Sequence, residues 1–185
     1  MEAVNQYLFK LIFKFNHQNF LLDDFAVLLA KYLPYFFVFG FLVFAFSNKD
    51  WRLRVLIFAD AAIAIILSRG IITEFIRFFY HHLRPFEVLN FTPLVAESGY
   101  SFPSGHAAWF FALAMIIFYF SRKLGWWYLA FAACNSLARI FVGVHWPLDV
   151  LGGAIVGIVS AVLVHGILEP HLQKIWQPAT EEKKI

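Results

Sequence analysis

The stretch RIFVGVHWPLD at residues 139–149 places an arginine, a histidine and an aspartate between two apolar segments. A charged side chain at membrane depth is costly unless it is paired or hydrated, so such a cluster predicts a functional site. His145 precedes Asp149 by four residues, and Pro147 suits the first turn of a helix. A histidine oriented by an aspartate can attack phosphorus through its far nitrogen as a neutral imidazole, which forms a phosphohistidine. Taken alone, Arg139 and His145 could also be a structural pair at a helix end, so the rest of the chain must decide between the two interpretations.

Two earlier segments carry the other groups that this chemistry needs. RFFYHHLRP at residues 77–85 holds Arg77 and Arg84, which would face one side if a helix continues through them. Guanidinium groups suit the oxygens of a phosphate or diphosphate. In YSFPSGH at residues 100–106, Ser104 is a candidate helix N-cap, which leaves the backbone N–H groups of Gly105 and His106 free for an anion. The His106 ring can protonate a leaving oxygen. The acidic residues are not spaced to cage a metal.

The composition is that of a polytopic membrane protein. Of 185 residues, 61% are hydrophobic and only 15% are charged, and the mean hydropathy is +0.69, whereas soluble domains carry about 25% charged residues. The net charge is +3, but basic residues of membrane proteins concentrate in cytoplasmic loops, so no nucleic-acid partner is expected. The single cysteine, Cys134, excludes an internal disulfide and a thiolate metal site.

Five windows are apolar enough to span a bilayer, which takes about 20 residues. They cover residues 24–47, 52–80, 106–121, 125–144 and 148–168. The second is too long for one upright span, so we expect it to tilt, to bend near Gly70 or to project from the membrane. The spacing of apolar side chains over residues 1–22 predicts an amphipathic helix at an interface. The predicted architecture is one all-α domain over residues 1–185, a membrane bundle of about five to six transmembrane helices.

The charged connections predict the orientation of this bundle. Basic residues lie in SNKDWRLR (48–54), in SRKLG (121–125) and in the tail, which carries Lys174, Lys183 and Lys184. With five spans these segments share one side, and the positive-inside rule makes that side the cytoplasm. The three polar clusters then meet on the extracytoplasmic side of a cell membrane. The aromatic residues near the span ends are expected to anchor the protein at the two interfaces; they are Trp51, Trp126, Trp127, Tyr128 and, on the outer side, Trp146.

Together the segments resemble the three signature motifs of the type-2 phosphatidic acid phosphatase superfamily, which also contains the vanadium haloperoxidases. RFFYHHLRP, PSGH and RIFVGVHWPLD follow the family's order and spacing over residues 77–149. The short chain resembles the bacterial undecaprenyl-diphosphatase branch, also called bacitracin-resistance phosphatases. The resemblance implies a membrane version of the helical core that acid phosphatases and vanadium haloperoxidases share.

The resemblance implies a role for each matching residue. His145 corresponds to the nucleophile, Asp149 to the residue that orients it and His106 to the general acid. The implied phosphate-binding residues are Arg77, Arg84, Ser104, Gly105 and Arg139, with no metal or other cofactor. Two positions depart from the family pattern: Arg77 stands where lysine is most common, and Ala138 stands where a serine usually precedes the arginine of the third motif. One hydrogen bond to the site is therefore expected to be missing, and the donor geometry at Arg77 differs.

The implied reaction is metal-independent hydrolysis of a lipid phosphate or diphosphate on the extracytoplasmic side. Undecaprenyl diphosphate is the first candidate substrate, with phosphatidate or phosphatidylglycerophosphate as alternatives. A non-enzymatic protein that binds or transports an anionic lipid is the alternative from another class. The His145 and Asp149 pair argues against it, because binding needs arginines but not an oriented nucleophile. A vanadate-dependent peroxidase is disfavoured because relatives of that kind are soluble.

Several other polar residues receive structural interpretations. Asp60, Arg69 and Glu74 lie in the second window and are expected to form buried pairs that orient its helix, although Arg69 or Glu74 could reach the site. Histidines are common at membrane interfaces, so His81 and His82 are expected not to be catalytic.

Overall fold

Seven helices form the part of the chain that the structure, a computed structural model, describes, which is residues 2–176. They are α1 (Glu2–Phe13), α2 (Phe20–Ser47), α3 (Trp51–Phe79), α4 (Pro85–Leu89), α5 (Gly105–Phe120), α6 (Arg122–Phe141) and α7 (Pro147–Trp176). Every regular element in these residues is helical, which confirms the all-α class. Side chains are described for residues 3–171, so the predicted tail charges of Lys174, Lys183 and Lys184 lie outside the described side chains.

Each predicted apolar window coincides with one helix, namely α2, α3, α5, α6 or α7. The last helix continues beyond the predicted end at residue 168 to Trp176. Two helices contain a wider, π-helical segment, at Leu28–Tyr32 in α2 and at Ile66–Ile72 in α3. The second segment includes Gly70, near which the sequence predicts a bend, and it carries Arg69.

Short polar connections fix the direction of the helices. The Asp50 side chain accepts a hydrogen bond from the Arg52 N–H group at 2.9 Å and caps α3, which only three residues separate from α2. Ser121 alone separates α5 from α6. Connections this short make the joined helices antiparallel neighbours. The basic turns near residues 48–54 and 121–125 therefore lie at the end of the bundle opposite to the end where α3 stops and α5 begins.

The central helix is α5, which packs against α3, α6 and α7. Gly153 and Gly157 of α7 approach α5 so closely that a side-chain carbon at either position would collide with the backbone of Ser104 or Ala108. Small residues permit this close approach between helices in a membrane protein. As a result, the first turns of α5 and α7 lie side by side.

The surface of the bundle is apolar. Three helices are long and apolar enough to cross a bilayer, Phe20–Ser47, Trp51–Phe79 and Pro147–His171, and Gly105–Phe120 is apolar but shorter. Their outward faces carry exposed aromatic side chains such as Phe36, Phe39 and Phe78. An exposed apolar surface of this extent indicates contact with lipid.

Two aromatic residues that the sequence assigns to the membrane interfaces are buried, so that prediction is wrong for them. Tyr128 is 5% exposed and donates a hydrogen bond from its hydroxyl group to the Phe37 carbonyl oxygen at 3.1 Å. Trp146 is 3% exposed, packs against Phe9 and donates its indole N–H to the Leu83 carbonyl oxygen at 2.9 Å. Both polar groups find partners inside the protein, which the position of an aromatic residue near a span end does not reveal.

The N-terminal helix α1 packs on the end of the bundle where α7 begins. Its Phe9 is fully buried, and the Asn5 side-chain oxygen accepts a hydrogen bond from the Leu148 N–H group at 3.1 Å. This contact satisfies one of the N–H groups that the first turn of α7 leaves free. The helix is shorter than the predicted range 1–22, and its position at a membrane interface stays a prediction.

The buried pair expected of Asp60 forms with another helix. Asp60 is fully buried, and its Oδ2 atom lies 2.6 Å from Nδ1 of His165 in α7. Arg69 and Glu74 instead pair with each other on α3. The three residues therefore divide between two locations, one within the helix bundle and one near the start of α5.

Candidate active site

The nucleophile predicted from the sequence lies in the short connection between α6 and α7. Nδ1 of His145 is 3.5 Å from Oδ2 of Asp149, which belongs to the first turn of α7. The other ring nitrogen, Nε2, lies 3.5 Å from Nη1 of Arg84. His145 is 1% exposed and Asp149 is fully buried. The carboxylate therefore holds one side of the ring, and Nε2 faces an arginine that can hold an anion.

Asp149 is held by several donors besides His145. The Ser101 hydroxyl and the Trp146 backbone N–H, the latter at 2.7 Å, both donate hydrogen bonds to Oδ2. Nδ1 of His82 lies 3.2 Å from Oδ1. Oγ of Ser101 is also 3.4 Å from Nδ1 of His145, so this hydroxyl contacts both members of the pair. The orientation of the carboxylate is thus fixed from three sides.

The environment of His145 keeps its ring neutral. Burial lowers the pKa of His145 to about 4, although the hydrogen bond with Asp149 acts in the opposite direction. The positive charges of Arg139 and Arg84 lower this pKa further. At neutral pH the imidazole is therefore uncharged, which is the form with an electron pair available for attack.

Arg84 is fully enclosed and holds the surrounding loops. Its Nε and Nη1 donate hydrogen bonds to the carbonyl oxygens of Gly99 and Val144, each at 2.8 Å, and Nη2 donates to that of Ser98 at 3.0 Å. Burial lowers the pKa of Arg84 to about 10, so it remains charged at neutral pH. A guanidinium group has five N–H donors. Each terminal nitrogen therefore keeps one N–H that can bind a phosphate oxygen.

Arg139 is paired with a carboxylate that the motifs do not contain. Its Nη2 donates a hydrogen bond to Oε2 of Glu97, and Oε1 of Glu97 lies 4.0 Å from Nη2 of Arg84. Burial by itself would raise the pKa of Glu97, but the charges of Arg139 and Arg84 outweigh burial and hold that pKa below its ordinary value. Nε of Arg139 is buried and has no hydrogen-bond partner among the described residues. An ionised carboxylate thus lies where two arginines converge.

The general acid predicted from the sequence lies in the first turn of α5. The Ser104 side chain accepts a hydrogen bond from the Ala107 N–H group at 3.4 Å, which makes Ser104 the N-cap. The Ser104 backbone N–H donates to the carbonyl oxygen of Asp149 at 2.8 Å. This bond joins the turn that carries Gly105 and His106 to the turn that carries Asp149. The N-terminus of α5 therefore lies next to the pair formed by His145 and Asp149.

Arg77 reaches the same space from the end of α3. Its Nη2 donates a hydrogen bond to the Pro103 carbonyl oxygen at 3.0 Å, and its Nη1 lies 3.4 Å from Oε1 of Glu74. The same Glu74 oxygen accepts a hydrogen bond from Nη1 of Arg69. Glu74 thus bridges two arginines, as Glu97 does on the other side.

All eight residues that the motifs predict lie at one end of the bundle. They are His106, His145, Asp149, Arg77, Arg84, Ser104, Gly105 and Arg139. The sequence analysis gave no site role to three residues that contact them: Ser101 and Glu97, which it did not consider, and His82, which it expected not to be catalytic and which contacts Asp149. Ser101 lies in the segment 100–106 and His82 in the segment 77–85. Their position within these segments was the feature of the sequence that could have indicated a role in the site. Glu97 lies in an irregular loop and offers no comparable signal.

The site is closed in this structure. Arg84, Arg139, His145 and Ser104 are each at most 2% exposed. Chemically, the arrangement offers a neutral nucleophile, a second histidine at a helix N-terminus, and arginines now neutralised by two carboxylates.

Known proteins resemble this chain in sequence and in fold. The sequence model of the PAP2 superfamily matches residues 58–171. The chain is 32% identical over 158 residues to the bacitracin transport permease protein BcrC of Bacillus licheniformis, covering 84% of this chain and 76% of that protein. It is 31% identical over 164 residues to the undecaprenyl-diphosphatase BcrC of Bacillus subtilis, covering 86% and 82%. The crystal structure of Aquifex aeolicus LpxE aligns with a TM-score of 0.72 and 28% identity over 87% of this chain and 94% of that one.

Proposed function

Because this chain belongs to the PAP2 superfamily and is a phosphatase, we propose that it removes the terminal phosphate from a lipid diphosphate. Undecaprenyl diphosphate is the first candidate, since one similar protein is named an undecaprenyl-diphosphatase. The observation that carries the proposal is the geometry of His145, whose Nδ1 faces Asp149 and whose Nε2 faces Arg84.

In the first step, Nε2 of His145 attacks the terminal phosphorus. The N–P bond forms while the bond from phosphorus to the bridging oxygen breaks, and His106 gives a proton to that oxygen. The products of this step are a phosphohistidine and the lipid monophosphate. Arg77, Arg84 and Arg139 match the charge on the three outer oxygens, which is where most of the rate enhancement arises.

In the second step, water replaces the histidine. His106, now neutral, takes a proton from the water as its oxygen attacks phosphorus, and the N–P bond to His145 breaks. Inorganic phosphate leaves, and both histidines return to their starting states. Asp149 stabilises the positive charge that the His145 ring carries while it is bonded to phosphorus, and the ring becomes neutral again when the N–P bond breaks. The arginines supply the charge that other phosphatases obtain from metal ions, so the mechanism requires none.

The membrane arrangement is part of the proposal. Five helices, α2, α3, α5, α6 and α7, cross the membrane, and the basic turns at the opposite end of the bundle face the cytoplasm. The active site then faces the extracytoplasmic side of the cell membrane. The exposed apolar surface of α2 and α3 supports a position in lipid.

A binding or transport role is the second candidate, because another similar protein is named a transport permease. An arginine-lined site suits an anionic headgroup in either case. The neutral, oriented ring of His145 favours the enzyme, because binding alone does not need it. Phosphatidate and phosphatidylglycerophosphate remain the alternative substrates within the enzyme class.

The test is phosphate release by the detergent-purified protein from undecaprenyl diphosphate and, separately, from phosphatidate. EDTA is present throughout, and His145→Ala is the control. Release that survives EDTA and is lost in the variant supports the mechanism, and the ratio of the two rates selects the substrate. Headgroup binding without release of phosphate would favour the transport role. Release that persists in His145→Ala would show that another residue is the nucleophile.

A further inference from the structure

A fourth arginine lies next to the proposed active site. A Cβ atom placed on Gly105 would lie 2.7 Å from Cδ and 3.0 Å from Cζ of Arg69. The guanidinium group of Arg69 therefore rests on the backbone of the first turn of α5, beside His106. Its positive charge also acts on the His106 ring. The motifs account for Arg77, Arg84 and Arg139, but not for this residue.

The backbone around Arg69 departs from α-helical geometry. Arg69 lies in the π-helical segment Ile66–Ile72 of α3, and the Thr73 hydroxyl donates to the Ser68 carbonyl oxygen at 2.8 Å across this wide turn. Single π-helical turns inside α-helices are frequent at functional sites because they redirect side chains. Here the segment accompanies an ion pair between Arg69 and Glu74, five residues apart.

Arg69 is more accessible than the three arginines of the motifs, Arg77, Arg84 and Arg139. Its side chain is 40% exposed and that of its partner Glu74 is 50% exposed, whereas the Arg84 side chain is 2% exposed. An exposed ion pair contributes little to stability. A phosphate group can therefore replace the Glu74 carboxylate on Arg69 at small cost.

The position of Arg69 corresponds to a particular part of the substrate. His106 must face the bridging oxygen that it protonates. Beyond that oxygen, a diphosphate has a second phosphorus whose two non-bridging oxygens share one negative charge, whereas a monoester has an uncharged carbon. A cation beside His106 on the first turn of α5 can thus bind the second phosphate and offset the charge that the leaving lipid monophosphate acquires.

Resting on the proposed function, we propose that Arg69 binds the second phosphate of a diphosphate substrate and thereby makes the enzyme select lipid diphosphates over lipid monophosphates. The Glu74 carboxylate pairs with the Arg69 guanidinium group when no substrate is bound. Arg77 shares Glu74 with Arg69 and binds the terminal phosphate next to it. The same residues that the sequence interprets as a structural pair then determine the substrate class.

The experiment compares two substrates with the same tail, a C15 prenyl diphosphate and the C15 prenyl monophosphate, in detergent. The measured quantity is the ratio of kcat/KM for the diphosphate to kcat/KM for the monophosphate. Arg69→Gln should lower this ratio about tenfold or more, because a charge-assisted hydrogen bond to one substrate is lost. Arg69→Lys should retain part of the preference for the diphosphate. The matched control is Arg122→Gln, which removes an exposed arginine at the opposite end of the bundle and should leave the ratio unchanged.

Glu74→Gln provides a second test that does not remove the arginine. It frees Arg69 from its carboxylate, so KM for the diphosphate should fall more than KM for the monophosphate. A ratio unchanged in both Arg69→Gln and Glu74→Gln, or changed equally in Arg122→Gln, would overturn the role of Arg69. That result leaves the proposed function intact as long as the wild-type protein releases phosphate. A wild-type protein that hydrolyses neither substrate contradicts the proposed function itself.

Discussion

Nδ1 of His82 lies 3.2 Å from Oδ1 of Asp149, the carboxylate oxygen opposite to the one that faces His145. One aspartate thus contacts two histidines, one on each oxygen. His82 is partly exposed, and beside it lies a cavity of about 360 Å³ that Trp146 and Asn5 also line. His82 contacts the carboxylate that orients His145, so we expect it to be a positioning residue rather than a catalytic one.

His82→Ala should lower kcat about three- to tenfold and leave KM nearly unchanged, because Asp149 loses one of its hydrogen-bond partners but keeps the others. Steady-state kinetics on the best substrate measures this effect. His82→Asn should restore much of the rate, since its amide can donate from a similar position. His81→Ala is the matched control, because the ring of His81 stacks on Tyr100. An equal loss in the two alanine variants would contradict a specific role for His82.

Ser101→Ala should lower kcat about tenfold, because the hydroxyl group contacts both His145 and Asp149 and its loss leaves a buried carboxylate short of one donor. The melting temperature in detergent, measured alongside kcat, separates a local effect from unfolding. Ser136→Ala is the control: Ser136 is equally buried, but its hydroxyl has no hydrogen-bond partner among the described residues. If the two variants have the same kcat, Ser101 does not position the pair.

Glu97→Gln should destabilise the protein in the absence of phosphate and increase the stabilisation that added inorganic phosphate provides. The substitution leaves Arg139 buried without its counter-charge, which costs about 1 to 3 kcal/mol after allowance for the partial exposure of Glu97. Inorganic phosphate can then bind the freed arginines and stabilise the folded state by mass action. Thermal melting in detergent should show a lower melting temperature without phosphate and a larger rise with it than in the wild type.

The control for Glu97→Gln is Asp24→Asn, which removes an exposed negative charge at the start of α2. It should change neither the melting temperature nor its response to phosphate. An equal phosphate response in Glu97→Gln and the wild-type protein would mean that Glu97 does not occupy the anion site.

The sequence predicts the parts of the site that follow a local rule. Ser104 caps α5 as its position before an apolar run predicts, and Pro147 and Asp149 lie in the first turn of α7 as the sequence predicts. The apolar windows predict the positions of α2, α3, α5, α6 and α7, because a long apolar run is typical of a helix that is buried or in contact with lipid.

The remaining contacts depend on how distant segments meet. Glu97 reaches Arg139 across 42 residues of sequence, and His82 reaches Asp149 across 67. No periodicity or spacing encodes such pairs, since a loop side chain has no fixed direction before the helices pack. Tyr128 shows the same limit, because its burial depends on the Phe37 carbonyl of another helix.

The lowered pKa of His145 predicts how stability depends on pH. In the folded protein the ring stays neutral down to about pH 4, whereas the unfolded chain takes up a proton as the pH falls through the ordinary value of 6.5. Between these values the unfolded state binds more protons, so the free energy of unfolding decreases as the pH falls. The loss attributable to His145 should reach about 2 kcal/mol between about pH 7 and about pH 5.

Melting in detergent over this pH range, with His145→Gln for comparison, measures the effect. The variant lacks the titrating ring, so the wild-type melting temperature should decline more steeply toward acid pH, and the two curves should diverge below about pH 6.5. Parallel curves would mean that the ring takes up its proton equally in both states. His145 would then not be held neutral by burial, and the neutral nucleophile of the proposed first step would lose its physical basis.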